Sequence, residues 1–278
     1  MSVDWLKANL GSEGLVVLDS TWFLPRLERS GKDEFLGSRI EGALFFDYDA
    51  GEGAFDEKAD FPRMMPSVDR FEGYVRGLGV CKGSQVVVYD NNDMFSSPRA
   101  WWMFKAMGLD EVAVLDGGLK AWIEAGYKTV GSEVECLDEI MKDVAEGDFV
   151  GRKVERVFIG SEDVLDDLKN DDVTVIDARA GSRYEEAHMP EALNLHYEEV
   201  LMDGKMKNLA ELKGLYQSKV DMKGGEANNQ ALTFSCGSGV TACVLALGAT
   251  LCGYEKVSVY DASWSEWGKG EQFPKVSS

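Results

Sequence analysis

Six short runs in the chain are apolar at consecutive positions instead of alternating. They are "GLVVLD" (14–19), "GSQVVVYD" (83–90), "EVAVLD" (111–116), "VTVID" (173–177), "ALTFSC" (231–236) and "KVSVYD" (256–261). A strand that is apolar on both faces is buried on both faces, as in a parallel sheet covered by helices. Between these runs, "SVDRFEGYVRGLG" (67–79) and "SSPRAWWMFKAMG" (96–108) space their apolar residues at helical intervals and end in glycine, a common helix stop. The alternation predicts an α/β protein with mostly parallel sheets flanked by helices.

The pattern occurs twice. "GLDEVAVLDGGLKAW" (108–122) aligns without a gap on "GYEKVSVYDASWSEW" (253–267), 145 residues later (253 − 108). "LVVLDS" (15–20) answers "VTVIDA" (173–178), and "RIEGALFFDY" (39–48) answers "HMPEALNLHY" (188–197). Two long copies are too few for a solenoid and read as a duplicated domain. The expected organisation is a domain at 1–130, a charged linker at 131–156 and a second domain at 157–278. At the same offset Asn91 falls opposite Cys236, so the two copies differ at that position.

Composition narrows the function classes. The 278 residues carry 49 Asp and Glu against 29 Lys and Arg, a formal charge of −20, which disfavours nucleic acid and anionic membranes as partners. No apolar run is long enough to cross a bilayer, and the N-terminus lacks the layout of a secretion signal. Asp4 and Glu13 come early and the first arginine is Arg26, unlike an Arg-rich presequence; the expected location is the cytoplasm, with a processed mitochondrial form the alternative. The five cysteines contain no C-x-x-C pair, which argues against a zinc site or a disulfide framework. No metal or organic cofactor is implied.

The stretch "TFSCGSGVTAC" (233–243) concentrates the chemistry. If "ALTFS" is a strand and "TACVLALGATLCG" a helix, Cys236 stands at the carboxyl end of a parallel strand, where open α/β sheets bind ligands. Gly237 and Gly239 would let successive amides turn inward around an anion, and the helix dipole would favour a thiolate, the nucleophilic form. A cysteine phosphatase needs an arginine six residues after the nucleophile, where this chain has Ala242; a Walker loop needs a lysine that "GSGVTA" lacks. A buried cysteine in a helix-starting turn is the bland alternative.

With "DAR" and "AHMPEALN" before it and "YDASWSEWG" after it, "CGSGVTA" resembles the C-terminal domain of 3-mercaptopyruvate sulfurtransferases, of the rhodanese superfamily. "FFDYD", "MMP", "FSSPRAWWMFKAMG" and "LDGGLKAW" carry the likeness through the first half. The resemblance implies two tandem rhodanese-like domains, the first lacking the nucleophile. It implies that Cys236 takes sulfur from a small donor as a persulfide and passes it to cyanide, a small thiol or a thioredoxin-like protein. Loop residues Gly237, Gly239, Val240 and Thr241 would bind substrate. Thiosulfate-specific relatives have "CRKGVTA"; the neutral Gly237 and Ser238 suit a mercapto acid instead. Thiosulfate as donor, or a persulfide carrier without efficient turnover, are the rival readings.

By the same resemblance Arg183 binds the substrate carboxylate, and Ser238 and Asp49 belong to a Ser-His-Asp group. Two departures stand out. The second carboxylate-binding arginine has no counterpart in "RYEEAHMPEA", and the histidine's place is taken by Arg63. Arg63, expected on the first domain's side of the cleft, is the candidate replacement clamp. His188 and His196 read as structural, as does Arg179, expected to pair with Glu185 or Glu186. Trp264 reads equally as a pocket wall or a core residue.

Overall fold

A computed structural model describes residues 1–51, 53–131, 136–224 and 230–277. It divides the chain into two units, each built on its own sheet. The first comprises Met1–Glu57, Met65–Val154 and Asp203–Lys205; the second comprises Lys58–Met64, Glu155–Met202 and Met206–Ser278.

In the first unit, strands β1 (Leu15–Asp19), β2 (Leu44–Phe45), β3 (Gln85–Tyr89) and β4 (Val112–Val114) form a parallel sheet of order β2-β1-β3-β4. Helices α1 (Val3–Asn9), α2 (Gly31–Gly37), α3 (Val68–Gly77), α4 (Ser97–Ala106) and α5 (Gly118–Glu124) flank it, with α6 (Leu137–Met141) following. Val86, Val87, Val88 and Tyr89 are wholly buried, as their two-faced apolar pattern requires. The Ser67 hydroxyl caps α3 by accepting from the Arg70 amide. The predicted stops hold: Gly79 and Gly108, at φ of 75° and 81°, take the left-handed conformation that closes α3 and α4.

The second unit repeats the plan with β5 (Phe158–Ile159), β6 (Val173–Asp177), β7 (Leu193–Asn194), β10 (Ala231–Ser235) and β11 (Val257–Tyr260), in the parallel order β5-β11-β10-β6-β7. A two-stranded ribbon, β8 (Leu201–Met202) and β9 (Lys205–Met206), lies apart from that sheet. Helices α7 (Ser161–Asp167), α8 (Gly181–Glu186), α9 (Leu209–Lys223), α10 (Ala242–Leu251) and α11 (Trp264–Trp267) complete it. Every residue of α10 from Ala242 to Ala249 is buried, so this helix is a core element and not an amphipathic cover.

Two segments differ from the expected division. Residues 136–154, read as linker, are packed chain of the first unit: Phe149 is buried, its amide donates to the Val80 carbonyl, and Arg152 and Val154 bond to Met107 and Ala106. Residues 132–135 of that stretch lie outside the described residues. Residues 58–64, inside the first repeat by sequence, belong to the second unit, where Phe61 and Met64 pack against the core that holds Ile159, Met189, Tyr260 and Trp267.

Candidate active site

Strand β10 lies in the middle of the second sheet, between β6 and β11. It delivers Cys236 at its carboxyl end, 2% exposed, with the following five-residue loop (237–241) running into α10. The neighbouring turn after β11 grips the loop through its polar backbone. Ser263 Oγ accepts from the Cys236 amide at 3.1 Å, and the Trp264 amide donates to the Cys236 carbonyl at 3.0 Å. The Ser265 amide and hydroxyl both donate to the Gly237 carbonyl, at 2.9 and 2.8 Å.

These bonds engage the carbonyl oxygens of Cys236 and Gly237. Among the described residues, the amides of Gly237, Ser238, Val240 and Thr241 donate to no protein acceptor. Gly239, at φ 73°, supplies the left-handed residue that turns the loop. Gly237 does not: it lies outside that region, and a Cβ there would meet nothing within 4 Å. Its missing side chain therefore leaves room beside the nucleophile and serves no turn. Cys243, in the first turn of α10, is buried with its thiol directed at the Gly239 carbonyl, 3.2 Å away.

The first unit supplies an internal control. In the strand pairings Val88 faces Leu18 and Val114, while Phe234 faces Ile176 and Val259, so Val88 and Phe234 occupy equivalent places. Counting on by two, Asp90 takes the place of Cys236. The gapless alignment put Asn91 there; the first loop is one residue longer (97 − 90 against 242 − 236), which shifts the match. The Asp90 carboxylate, buried, accepts from the amides of Asn92 and Met94, each at 3.0 Å, and of Ser96 and Ser97 at 2.9 and 2.6 Å. An anion thus sits at this strand end with the loop amides folded around it, the grouping that a thiolate or persulfide on Cys236 would require.

Arg179 is structural, but its partner is Asp177 and not Glu185 or Glu186: three bonds of 2.7 to 3.1 Å join the buried pair. Its guanidinium also lies 3.9 Å from the Trp264 ring centroid, which fixes that half-buried indole in a cation–π contact. Behind it, burial and the Glu266 carboxylate keep the Tyr260 hydroxyl protonated, donating to Glu266 at 2.6 Å. Neither histidine joins the loop. His188 stacks on Tyr184, 3.8 Å between centroids, with Nδ1 at 2.8 Å from the Tyr184 carbonyl, and the His196 amide donates to Glu199.

The candidate carboxylate binders are placed differently from one another. Arg183 stands exposed in the last turn of α8, with no ion-pair partner among the described residues. Arg63 was expected on the first domain's side; the segment carrying it belongs instead to the second unit, half-buried, at φ 61°. Asp49 lies in the first unit, accepting from the Trp22 indole at 2.7 Å, whereas Ser238 lies in the second. Sequence reasoning missed Ser263 and Ser265. The available signal was Ser263 replacing Gly118 of the first repeat.

The rhodanese-like domain family matches residues 2–125 and 161–269. The chain is 36% identical over 287 aligned positions to the 3-mercaptopyruvate sulfurtransferase of Mus musculus, covering 96% of this chain and 91% of that one. It is 34% identical to the thiosulfate sulfurtransferase of Gallus gallus, covering 96% and 92%. Among solved structures, SseA from Escherichia coli, a protein of rhodanese fold, superposes with a TM-score of 0.81 at 30% identity, covering 96% of this chain and 98% of that one.

Proposed function

Because the chain belongs to the rhodanese family, as a tandem pair of its domains, we propose that it is a sulfurtransferase drawing sulfur from 3-mercaptopyruvate through Cys236. The Cys236 thiolate attacks the substrate sulfur. An S–S bond forms, the C–S bond breaks, and its electron pair leaves with carbon as the enolate of pyruvate. Ser238 or water protonates that enolate. A small thiol, a thioredoxin-like protein or cyanide then takes the outer sulfur and returns Cys236 as thiolate. Loop amides stabilise negative charge on sulfur at each stage. Arg183 and Arg63 hold the substrate carboxylate. The cytoplasm suits five free cysteines.

The observation that carries this reading is the loop after Cys236, whose amides at 237, 238, 240 and 241 meet no protein acceptor among the described residues, whereas the equivalent loop of the first unit is closed around Asp90. Thiosulfate is the second donor to consider, favoured by the chicken relative's name. The test is steady-state rates with each donor, followed by mass spectrometry of Cys236. A one-sulfur gain with mercaptopyruvate, turned over by thiol, is expected. A gain without turnover identifies a carrier, and no gain with either donor removes Cys236 from the role.

A further inference from the structure

Ser263 is wholly buried and strained. Its φ of 52° and ψ of −143° belong to the first central position of a type II′ turn, which glycine takes freely and other residues resist. The first repeat has Gly118 at that place, at φ 56°. The fold therefore asks for glycine here, and the second unit carries a serine in spite of it. Its hydroxyl donates to the Tyr260 carbonyl at 2.7 Å. With that proton committed, the oxygen presents a lone pair to the Cys236 amide, 3.1 Å away.

We infer that Ser263 is a positioning residue for the reaction proposed above: it holds the Cys236 peptide so that loop amides, and not the carbonyls of Cys236 and Gly237, face the anionic sulfur. Trp264 and Ser265, the next two residues, complete the brace by binding those carbonyls. The first unit shows why the brace belongs to one copy. There the Leu119 amide still bonds the Asp90 carbonyl, at 2.9 Å, but Gly118 has no hydroxyl to offer, and the Asp90 carboxylate itself gathers the loop amides. A resident side chain, bonded to four loop amides, organises that loop. In the second unit the charge on sulfur changes during turnover, so the loop needs a support that does not depend on it.

The inference rests on the sulfurtransferase reading, and Ser263→Gly tests it apart from that reading. Glycine relieves the backbone and removes only the hydroxymethyl group. The expected variant melts at or above the wild-type temperature. Its Cys236 alkylation curve with iodoacetamide nevertheless shifts up by about half to one pH unit, and kcat with mercaptopyruvate falls about five- to tenfold, as loss of one hydrogen bond warrants. Ser265→Ala, which keeps one of two donors to Gly237, should move the same readouts by less. A Ser263→Gly protein with the wild-type alkylation curve and kcat, whatever its stability, overturns the assignment. Should wild-type protein form no persulfide with any donor, the functional reading fails while the alkylation comparison still decides for or against Ser263.

Discussion

At the scale of single residues, the nucleophile and its neighbours make separable contributions. Cys236→Ser is expected to abolish transfer with the fold retained, because an alcohol is neither ionised nor able to carry a second sulfur; a donor assay together with circular dichroism checks both halves. Gly237 offers a cleaner test of donor choice, since a side chain there enters open space without backbone strain. Gly237→Arg combined with Ser238→Lys should therefore fold normally and raise thiosulfate use relative to mercaptopyruvate, because two cations beside the sulfur favour a compact dianion. An unchanged donor ratio would mean that loop charge does not select the donor. Arg63 holds a guanidinium that stays charged at any working pH and can bind a carboxylate through two parallel bonds. Arg63→Ala should raise KM for mercaptopyruvate about ten- to hundredfold, the cost of one charged hydrogen-bond partner. Unaltered kinetics would leave the carboxylate to Arg183.

At the scale of elements, α10 supports the loop from behind, and its packing depends on Gly248. A methyl group there would fall against the Tyr216 hydroxyl, which comes from α9 and donates to the Leu245 carbonyl at 2.7 Å. Gly248→Ala should cost about 1–3 kcal/mol through overpacking, seen as a lower urea midpoint. Elements of this kind were largely legible in the sequence. All six apolar runs became strands and both glycine-terminated stretches became helices, because a two-faced apolar run leaves few alternatives to a covered parallel strand. Cys236 and its loop were legible for the same reason, being strand end, turn and helix start in one string. The equivalence of Asp90 and Cys236 was not. It depends on strand register, and a one-residue lengthening of the first loop cannot be seen when repeats are aligned without gaps. Nor was the Arg179–Asp177 pair legible, since two residues apart on a strand end can either diverge or fold back on each other, and packing decides which.

At the scale of the whole molecule, a buried carboxyl links stability to pH. Asp19 ends β1; burial pushes it up from 3.8 to about 7, against hydrogen bonds from the Thr21 amide and hydroxyl. The folded chain thus holds this proton more tightly than the unfolded chain. Its contribution to stability is fully present below 3.8 and is lost as pH rises through about 7. Asp19→Asn should remove that component, so that urea midpoints at mildly acidic and neutral pH converge in the variant and diverge in the wild type. The division of the chain carries a different consequence. It changes unit after residues 57, 64, 154, 202 and 205, so each unit contains residues encoded within the other repeat. A gene cut between the two sequence repeats would give a downstream fragment without Phe61, Arg63 and Met64. Such a fragment should recover sulfur transfer only by complementation with the upstream half, which makes this duplicated protein a single unit of inheritance.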